Sequence, residues 1–241
     1  MPTLGSLFSG VGGIDLGFEY AVENLRVAWQ AEKDAWCRSV LAHNFPGVRI
    51  FNDVVDVNTK TAERVDIIAG GFPCQDLSTA NIQQRQGLNG ERSGLWREFI
   101  RIVGELAPSV VFVENVGQSW RDWVPFVRLD LHRLGYPSVP LRLSTADLGA
   151  PHHRDRVFVV AHAHSDGEPL RRLHAEVARL CTDARRAQMP WRNPYMGAVR
   201  VDDGVPRDMA AIRAFGNAAS PEVVALAAEA MNNVGLFSRG G

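Results

Sequence analysis

Cysteine is scarce in this chain, and its few positions are scattered. The 241 residues contain only Cys37, Cys74 and Cys181. An odd, widely spaced set of three does not suit the framework of a disulfide-rich secreted domain. There is no apolar run of about 18 residues, the length that a membrane span needs, and the first residues, "MPTLGSLFSG", lack the basic-then-apolar layout of a secretory signal. We therefore expect a cytoplasmic protein without a membrane segment.

An excess of either charge is also missing. The formal net charge is −1, from 26 basic and 27 acidic residues, so the chain has no basic excess of the kind that favours nucleic-acid binding. Lysine is nearly absent, because only Lys33 and Lys60 occur and all other basic residues are arginines. A compositional bias of the gene explains most of this preference. Individual arginines remain candidates for bidentate binding of phosphate or guanine.

Short apolar runs alternate with amphipathic stretches over the first two thirds of the chain. Continuous apolar runs are typical of buried parallel strands, and strands that alternate with helices predict a parallel α/β sheet. The predicted strands are TLGSLF, RVAWQAE, a short one before Asp53, VDIIAGGF, SVVFVENV and RVFVVAHA. The predicted helices are one from Ile14, then DAWCRSVLAHNF, SGLWREFIRIVGELA and WVPFVRLDLHRLG.

The pattern changes near Ser165. Residues 165–213 are rich in Arg, Pro and Asp with weak periodicity, which predicts a small irregular subdomain with one short helix at "EVARLCTDARR". A last helix follows, with Ser220 as its N-cap, Pro221 at its first position and Gly235 after its end. We therefore expect a large domain over 1–164, the subdomain over 165–213, and a C-terminal segment over 214–241 that returns to the large domain.

A Gly-rich turn and two acids indicate a ligand site. In "LFSGVGGIDLGFE", the glycines Gly10, Gly12 and Gly13 lie between a strand and a helix, where they permit close approach of a ligand to backbone N–H groups. Such a turn is shared by nucleotide, flavin and S-adenosylmethionine binders. Glu32 ends the next strand, where an acid can bind ribose hydroxyls. Asp53 ends the third strand and can accept a hydrogen bond from an adenine amino group.

A thiol, a carboxyl group and two arginines lie next to three other strands. Cys74 follows "VDIIAGGF", Glu114 is in "ENV" at the end of "SVVFV", and Arg154 and Arg156 precede "VFVVA". Strand ends of an open parallel sheet converge in one crevice. A thiolate can add to an electron-poor ring, a carboxyl group can protonate a ring nitrogen, and a guanidinium can bind a ring carbonyl. This set fits chemistry on a heterocycle.

Taken together, these motifs resemble the DNA (cytosine-5)-methyltransferase family. The matching stretches are LFSGVGGIDLGFE, GGFPCQDLS, GLNGERSGLW, VFVENV, GAPHHRDRVFVVA and FGNAASPEVVA, which span Leu4 to Ala225 with a gap across about 165–213. The resemblance implies a Rossmann-like, mostly parallel α/β fold that binds S-adenosylmethionine, with a small target-recognition subdomain at 165–213. It also implies that residues 78–96 correspond to a loop that closes over DNA.

The resemblance implies a role for each motif residue. Toward S-adenosylmethionine, Phe8 would contact the adenine, Glu32 the ribose and Asp53 the adenine amino group, with Gly10, Gly12, Gly13 and Asn217 around them. Toward the cytosine, Cys74 would attack C6 from a loop shaped by Pro73. Glu114 would bind N3 and the exocyclic amine, and Arg154 and Arg156 would lie around the base carbonyl and the Cys74 loop.

The implied activity is methyl transfer from S-adenosylmethionine to C5 of a cytosine flipped out of double-stranded DNA, with S-adenosylhomocysteine as product. We take a monomer as the default state and expect a protein of prokaryotic or phage type, with a restriction endonuclease as a candidate partner. Alternatives are a cytosine-5 methyltransferase acting on tRNA and a DNA-binding relative with little activity. A nicotinamide-dependent dehydrogenase would leave Cys74 and Glu114 unexplained. The histidines lack the spacing of a zinc site, so we expect no metal.

Three features depart from the family pattern. Lys33 follows the ribose-binding acid, where an aromatic residue is common. The region available for target recognition is short, at about 50 residues, and no conserved helix motif precedes the final "GN". Because that region should face DNA, we expect phosphate contacts among its arginines, which include Arg171, Arg172, Arg185, Arg186 and Arg192.

Overall fold

A seven-stranded sheet forms the centre of the computed structural model, which describes residues 1–73, 94–118, 120–163, 167–187 and 218–237. Its strands are β1 (Thr3–Leu7), β2 (Arg26–Ala31), β3 (Arg49–Phe51), β4 (Ile67–Gly71), β5 (Val110–Val116), β6 (Ser138–Ser144) and β7 (Asp155–His162). Their spatial order is β3-β2-β1-β4-β5-β7-β6. The order reverses between β1 and β4, and the crevice at such a switch point is where open α/β sheets bind ligands.

Helices cover both faces of the sheet. They are α1 (Gly13–Ala21), α2 (Ala35–Asn44), α3 (Gly94–Leu106), α4 (Trp120–Arg133), α5 (Glu168–Arg186) and α6 (Pro221–Asn233). One buried apolar cluster joins α1, α5 and α6 to the sheet, and a second joins α3 and α4 to it. The predicted α/β class is confirmed, as are the predicted strands and the helices before Ser165. Among the described residues, no helix has the length and apolar character required to cross a bilayer.

Strand direction changes at β7. The pairs β3–β2, β2–β1, β1–β4 and β4–β5 are parallel, whereas β7 is antiparallel to both β5 and β6. The sheet is therefore mostly parallel, as predicted, with a reversed strand near one edge. The connection from β6 to β7 contains only a short 3-10 helix, Thr145–Leu148. A parallel return needs a crossover of a dozen or more residues, so this short connection produces an antiparallel hairpin.

Strand β6 was not predicted from the sequence. Its residues, "SVPLRLS", include Pro140 and Arg142, and only three of its residues are buried. Proline cannot donate a ladder hydrogen bond, and it is tolerated at the edge of a sheet. β6 is an edge strand, which explains why the apolar run expected of a central strand is missing here.

Helix α5 differs from the prediction for this region. The sequence predicts an irregular segment with a short helix at "EVARLCTDARR", whereas the helix spans Glu168–Arg186. Its buried residues Leu170, Leu173, Val177 and Leu180 follow helical spacing and belong to the apolar cluster of α1 and α6. Residues 168–186 thus pack on the large domain. The remainder of the proposed recognition subdomain, 188–213, lies outside the described residues.

Helix α6 begins and ends where the sequence predicts. Ser220 is at the N-cap and Pro221 begins the helix, but the Ser220 hydroxyl donates to Glu222 Oε2 at 2.6 Å instead of capping a backbone N–H. Val223, Val224 and Ala227 are buried in the cluster that α6 shares with α1. This packing attaches the C-terminal segment to the large domain beside the helix that follows the Gly-rich turn.

Candidate active site

The Gly-rich turn joins β1 to α1 at the switch point of the sheet. Phe8 and Gly10 both have left-handed backbone conformations, with φ angles of 53° and 55°, and this conformation is strained for phenylalanine. A Cβ atom on Gly10 would meet no heavy atom within 4 Å. Gly12 is the N-cap of α1. The turn therefore places a helix N-terminus next to open space, which suits a polar or anionic ligand.

Glu32 fixes the shape of this turn. Its Oε2 accepts a hydrogen bond from the Gly10 N–H at 2.8 Å, and its Oε1 accepts one from the Asp34 N–H at the same distance. The Ser9 N–H also binds the last residue of β2, donating to the Ala31 carbonyl at 3.1 Å. A carboxylate oxygen has a second lone pair, so Glu32 keeps acceptor capacity for a ligand hydroxyl while it holds the turn.

Asp53 lies two residues after β3 and begins the 3-10 helix Val54–Asp56. Its Oδ1 accepts a hydrogen bond from the Val55 N–H at 3.2 Å, and its Oδ2 lies 3.6 Å from Lys33 Nζ. The structure therefore pairs the residue that departs from the family pattern with one of the two predicted cofactor acids. Lys33 is 86% exposed, so this ion pair is weak.

The end of the chain returns to the Gly-rich turn. A Cβ atom on Gly13 would lie 2.4 Å from the Ala219 carbonyl oxygen, so only glycine permits this approach. The Arg154 guanidinium donates a hydrogen bond to the Ala218 carbonyl. Residues 218 and 219 are thereby fixed between the turn and Arg154. Asn217, predicted to return to the cofactor, precedes them but lies outside the described residues.

Glu114 and Arg156 form a buried ion pair. Arg156 is next to the start of β7 and Glu114 is near the end of β5, and the antiparallel register pairs Glu114 with Phe158 and Val116 with Arg156. Arg156 Nε lies 2.7 Å from Glu114 Oε1, and both side chains are 9% exposed. Neither atom makes an aligned hydrogen bond to any described group. The two charges are therefore paired by close approach, without an aligned hydrogen bond between these two atoms.

Burial determines the protonation of Glu114. It raises the pKa of this carboxyl group to about 7, although the charges of Arg156 and Arg154 act in the opposite direction. A carboxylic acid with a pKa near neutrality can hold a proton and release it at ordinary pH. Gly71 makes room for this group, since a Cβ atom there would lie 2.5 Å from Glu114 Oε2.

Asn115 fixes the backbone that leads to Pro73 and Cys74. Its Nδ2 donates to the Phe72 carbonyl at 3.1 Å, and its Oδ1 accepts from the Val116 N–H at 2.8 Å. The Phe72 ring lies 5.3 Å from the Trp96 ring and 5.9 Å from the Trp123 ring. Residues on both sides of 74–93 are thus anchored in one aromatic cluster. The sequence reading assigned roles to neither Gly71 nor Asn115, although both lie within motifs that it identified.

Cys74 and residues 78–93 of the loop predicted over 78–96 lie outside the described residues, whereas residues 94–96 form the first turn of α3. The other two cysteines are free thiols. Burial raises the pKa of Cys37 to about 12 and also raises the pKa of Cys181. Because the thiolate is the nucleophile, neither is suited to attack a substrate.

Several of the arginines expected to contact phosphate have intramolecular partners. Arg172 pairs with Glu168 and also donates to the Val234 carbonyl, and Arg185 pairs with Asp147. Both ion pairs are exposed and therefore weak, so a phosphate can replace the carboxylate in each of them. The phosphate contacts themselves stay a prediction, and Arg192 lies outside the described residues.

Comparisons with known proteins point to one family. The family model for C-5 cytosine-specific DNA methylase matches residues 3–184. Type II methyltransferase M.NgoFVII of Neisseria gonorrhoeae is 34% identical over 165 residues, which cover 66% of this chain and 43% of the relative. Type II methyltransferase M2.BsuMI of Bacillus subtilis (strain 168) is 32% identical over 169 residues, 67% of this chain and 42% of the relative.

A solved structure has a similar fold. It is the crystal structure of a protein described as a DNA modification methyltransferase encoded within an E. coli prophage. The TM-score is 0.56 at 29% identity, and the match covers 68% of this chain and 47% of that one. The chain thus spans about half the length of the relatives that it matches.

Proposed function

Because the chain belongs to the C-5 cytosine-specific DNA methylase family, as its motifs predicted, we propose that it transfers a methyl group from S-adenosylmethionine to C5 of cytosine in DNA. The main support is the buried Glu114–Arg156 pair, whose carboxyl group lies on β5, next to the strand leading to Pro73 and Cys74. A carboxyl group beside a guanidinium offers an acceptor and several N–H donors, which suits a polar heterocycle.

The Gly-rich turn and its acids fit S-adenosylmethionine. Open space in front of Gly10, acceptor capacity on Glu32 and the half-buried carboxylate of Asp53 suit an adenosine with its ribose hydroxyls and amino group. In this proposal Phe8, Gly12, Gly13 and Asn217 complete the pocket. When bound, S-adenosylmethionine supplies an electrophilic methyl group.

The residues around Glu114 act on the base. Cytosine C5 is a weak nucleophile and is buried in the DNA stack, so the base must be extruded before it reacts. The Cys74 thiolate adds to C6, and the electron pair of the C5–C6 bond moves into the ring. Glu114 protonates N3 as negative charge develops there, and Arg156 stabilises the adjacent carbonyl oxygen. Arg154 positions residues 218–219 beside the turn.

The addition makes C5 nucleophilic toward the methyl group that S-adenosylmethionine would supply, with S-adenosylhomocysteine as the leaving group. A base then removes the proton from C5, the C5–C6 double bond re-forms, and Cys74 leaves as the thiolate. In the same stage N3 gives its proton back to the Glu114 carboxylate, which returns the site to its initial protonation. A carboxyl group with a pKa near 7 can serve in both directions.

Replacing Glu32 by alanine should weaken binding of S-adenosylhomocysteine by about 1.5–3 kcal/mol, because a charge-assisted hydrogen bond to the ligand is lost together with the acceptor that holds Gly10. Isothermal titration calorimetry measures the change. Glu63→Ala is the matched control, since Glu63 pairs with Arg26 on the surface. Unchanged affinity in Glu32→Ala would remove Glu32 from the cofactor pocket.

Gly71→Ala should lower kcat by roughly 100-fold, because a displaced reacting group of this kind typically costs that factor. The added Cβ would lie 2.5 Å from Glu114 Oε2 and force the carboxyl group to move. Affinity for S-adenosylhomocysteine should stay the same. Gly104→Ala is the control, since its Cβ would have only ordinary contacts with Leu134. Equal kcat values in the two variants would contradict the role given to Glu114.

Bisulfite sequencing of DNA from cells expressing the chain tests the proposed function. We expect 5-methylcytosine in a defined sequence context that is missing from cells expressing Cys74→Ser. The same cells provide tRNA for the alternative substrate. Methylation confined to tRNA would replace the DNA proposal with the RNA one.

A further inference from the structure

Asp15 is a buried carboxyl group that the proposed reaction does not use. It lies in the first turn of α1 and is 0% exposed. Its Oδ2 accepts a hydrogen bond from the Ser6 hydroxyl and its Oδ1 accepts one from Gln30 Nε2, both at 3.0 Å. Ser6 and Gln30 are register partners on β1 and β2. Asp15 therefore joins α1 to the two strands that lead to the cofactor-binding turn and to Glu32.

The same stretch of β2 holds the turn itself. Gln30 binds Asp15, Ala31 accepts the Ser9 N–H, and Glu32 accepts the Gly10 N–H. The Ser9 hydroxyl also donates to the Ser6 carbonyl at 3.1 Å. A change at Asp15 thus reaches Gly10 and Glu32 through one or two hydrogen bonds, within a packed interior that transmits small shifts.

The geometry points to Asp15 as a positioning residue: we propose that its ionised form holds the Gly-rich turn in the conformation that binds cofactor, so that cofactor affinity falls when Asp15 is protonated. This inference rests on the proposed function. In the structure both carboxyl oxygens accept hydrogen bonds, which is the pattern of an ionised acid. A proton on Oδ1 would oppose the Gln30 amide donor, and a proton on Oδ2 would require the Ser6 hydroxyl to turn and accept. Gln30 Oε1 is buried without a partner among the described residues, which gives a protonated Asp15 an alternative arrangement.

Asp15 changes its protonation in a pH range that is accessible to experiment. Burial raises the pKa of Asp15 to about 6, against the hydrogen bonds from Gln30 and Ser6. Glu19 on α1 is the ionisable neighbour whose charge also raises it. Few other charged groups lie on the elements around Asp15. β1 has no ionisable side chain, and β2 has Arg26 at its far end, with Glu32 just after the strand. Helix α6, which packs on α1, has Glu222 and Glu229.

Folding stability and cofactor affinity should then depend on pH with opposite signs. The folded-state pKa of Asp15 lies above the ordinary value of 3.8, so this group's contribution to stability decreases as the pH rises from about 4 to 6. Cofactor affinity should increase as the pH rises through 6. A residue that only stabilised the fold would not produce this opposition.

Calorimetric titration of the whole chain with S-adenosylhomocysteine between pH 5 and 8 tests the inference. For wild type we expect affinity about tenfold weaker at pH 5 than at pH 7.5, following the ionised fraction of Asp15. Asp15→Asn should lose this slope, since its amide does not titrate. Ser6→Ala should keep the slope but move its midpoint to higher pH, because it removes a hydrogen bond that favours the ionised form.

A wild-type slope that persists in Asp15→Asn, or a wild-type affinity that is constant with pH, would overturn the inference while leaving the proposed function intact. If circular dichroism shows Asp15→Asn to be unfolded, Ser6→Ala decides, and an unchanged midpoint then overturns it. Failure of wild type to bind S-adenosylhomocysteine at any pH would instead overturn the proposed function, and this inference with it.

Discussion

Exchanging Cys74 for serine should reduce methyl transfer to DNA by at least about a thousandfold, because a serine hydroxyl without an activating base is a far weaker nucleophile than a thiolate near neutral pH. The measurement is incorporation of labelled methyl groups into DNA at saturating concentrations of both substrates. Binding of S-adenosylhomocysteine should be unchanged, since the exchange replaces one atom.

Cys37→Ser and Cys181→Ser provide matched controls for this prediction. Burial raises the pKa of both thiols, that of Cys37 to about 12, so neither supplies a thiolate. Both variants should keep wild-type activity. Loss of activity in either control, with activity retained in Cys74→Ser, would assign the nucleophile to a different cysteine.

Arg156→Ala should destabilise the fold by about 3–5 kcal/mol at pH 8.5, the usual cost of leaving a buried charge without its partner, and by clearly less at pH 6. The folded-state pKa of Glu114 is about 7, above the ordinary 4.5, so wild-type stability falls as the pH rises from 4.5 to 7. Removing the Arg156 charge raises that pKa further. The folding stability of Arg156→Ala should therefore continue to decrease above pH 7.

Urea unfolding at the two pH values measures this difference. The double variant Glu114→Gln/Arg156→Ala is the control, because it has no titrating group at position 114 and should show a pH-independent loss relative to Glu114→Gln. An equal loss for Arg156→Ala at pH 6 and pH 8.5 would contradict the assignment of Glu114 as a proton-holding group.

The order of elements could be predicted from the sequence because each follows a local pattern. Apolar runs such as "VDIIAGGF" indicate buried strands whatever their neighbours, and the glycines of the turn mark the link from β1 to α1. The helix predicted from the sequence is shorter than α5, because the many arginines and acids of α5 obscure the periodic pattern of its four core-facing apolar residues. Edge strand β6 has too few buried side chains to produce a strand pattern.

The direction of β7 could not be predicted, because alternation and apolarity are the same for both directions of a strand. This direction matters for the site. Arg154 and Arg156 lie at the beginning of β7. If β7 were parallel to β5, they would lie at the amino ends of the strands, whereas Glu114 lies near the carboxyl end of β5. Because β7 is antiparallel to β5, its start meets the end of β5. Glu114 and Arg156 are therefore close together, as expected. The reason is the antiparallel pairing of β7 with β5, and not the parallel sheet that the sequence pattern predicts.

The role of Asp15 had no sequence signal for a similar reason. An acid in the first turn of a helix is an ordinary surface residue, and only the packing of α1 on β1 and β2 buries it beside Ser6 and Gln30. Asn115 and Gly71 were visible within motifs, but their contacts with Phe72 and Glu114 cross from one strand to another.

The most direct test of covalent catalysis by Cys74 uses duplex DNA with 5-fluorocytosine at the methylated position, which bisulfite sequencing identifies. After methyl transfer the fluorine cannot leave C5 as a proton does, so the thiolate cannot be expelled and the adduct persists. We predict a stable protein–DNA adduct that forms only with S-adenosylmethionine present, maps to Cys74 by mass spectrometry, and is missing in Cys74→Ser. An adduct that forms in Cys74→Ser and maps to Cys37 or Cys181 would contradict the site proposed for this chain.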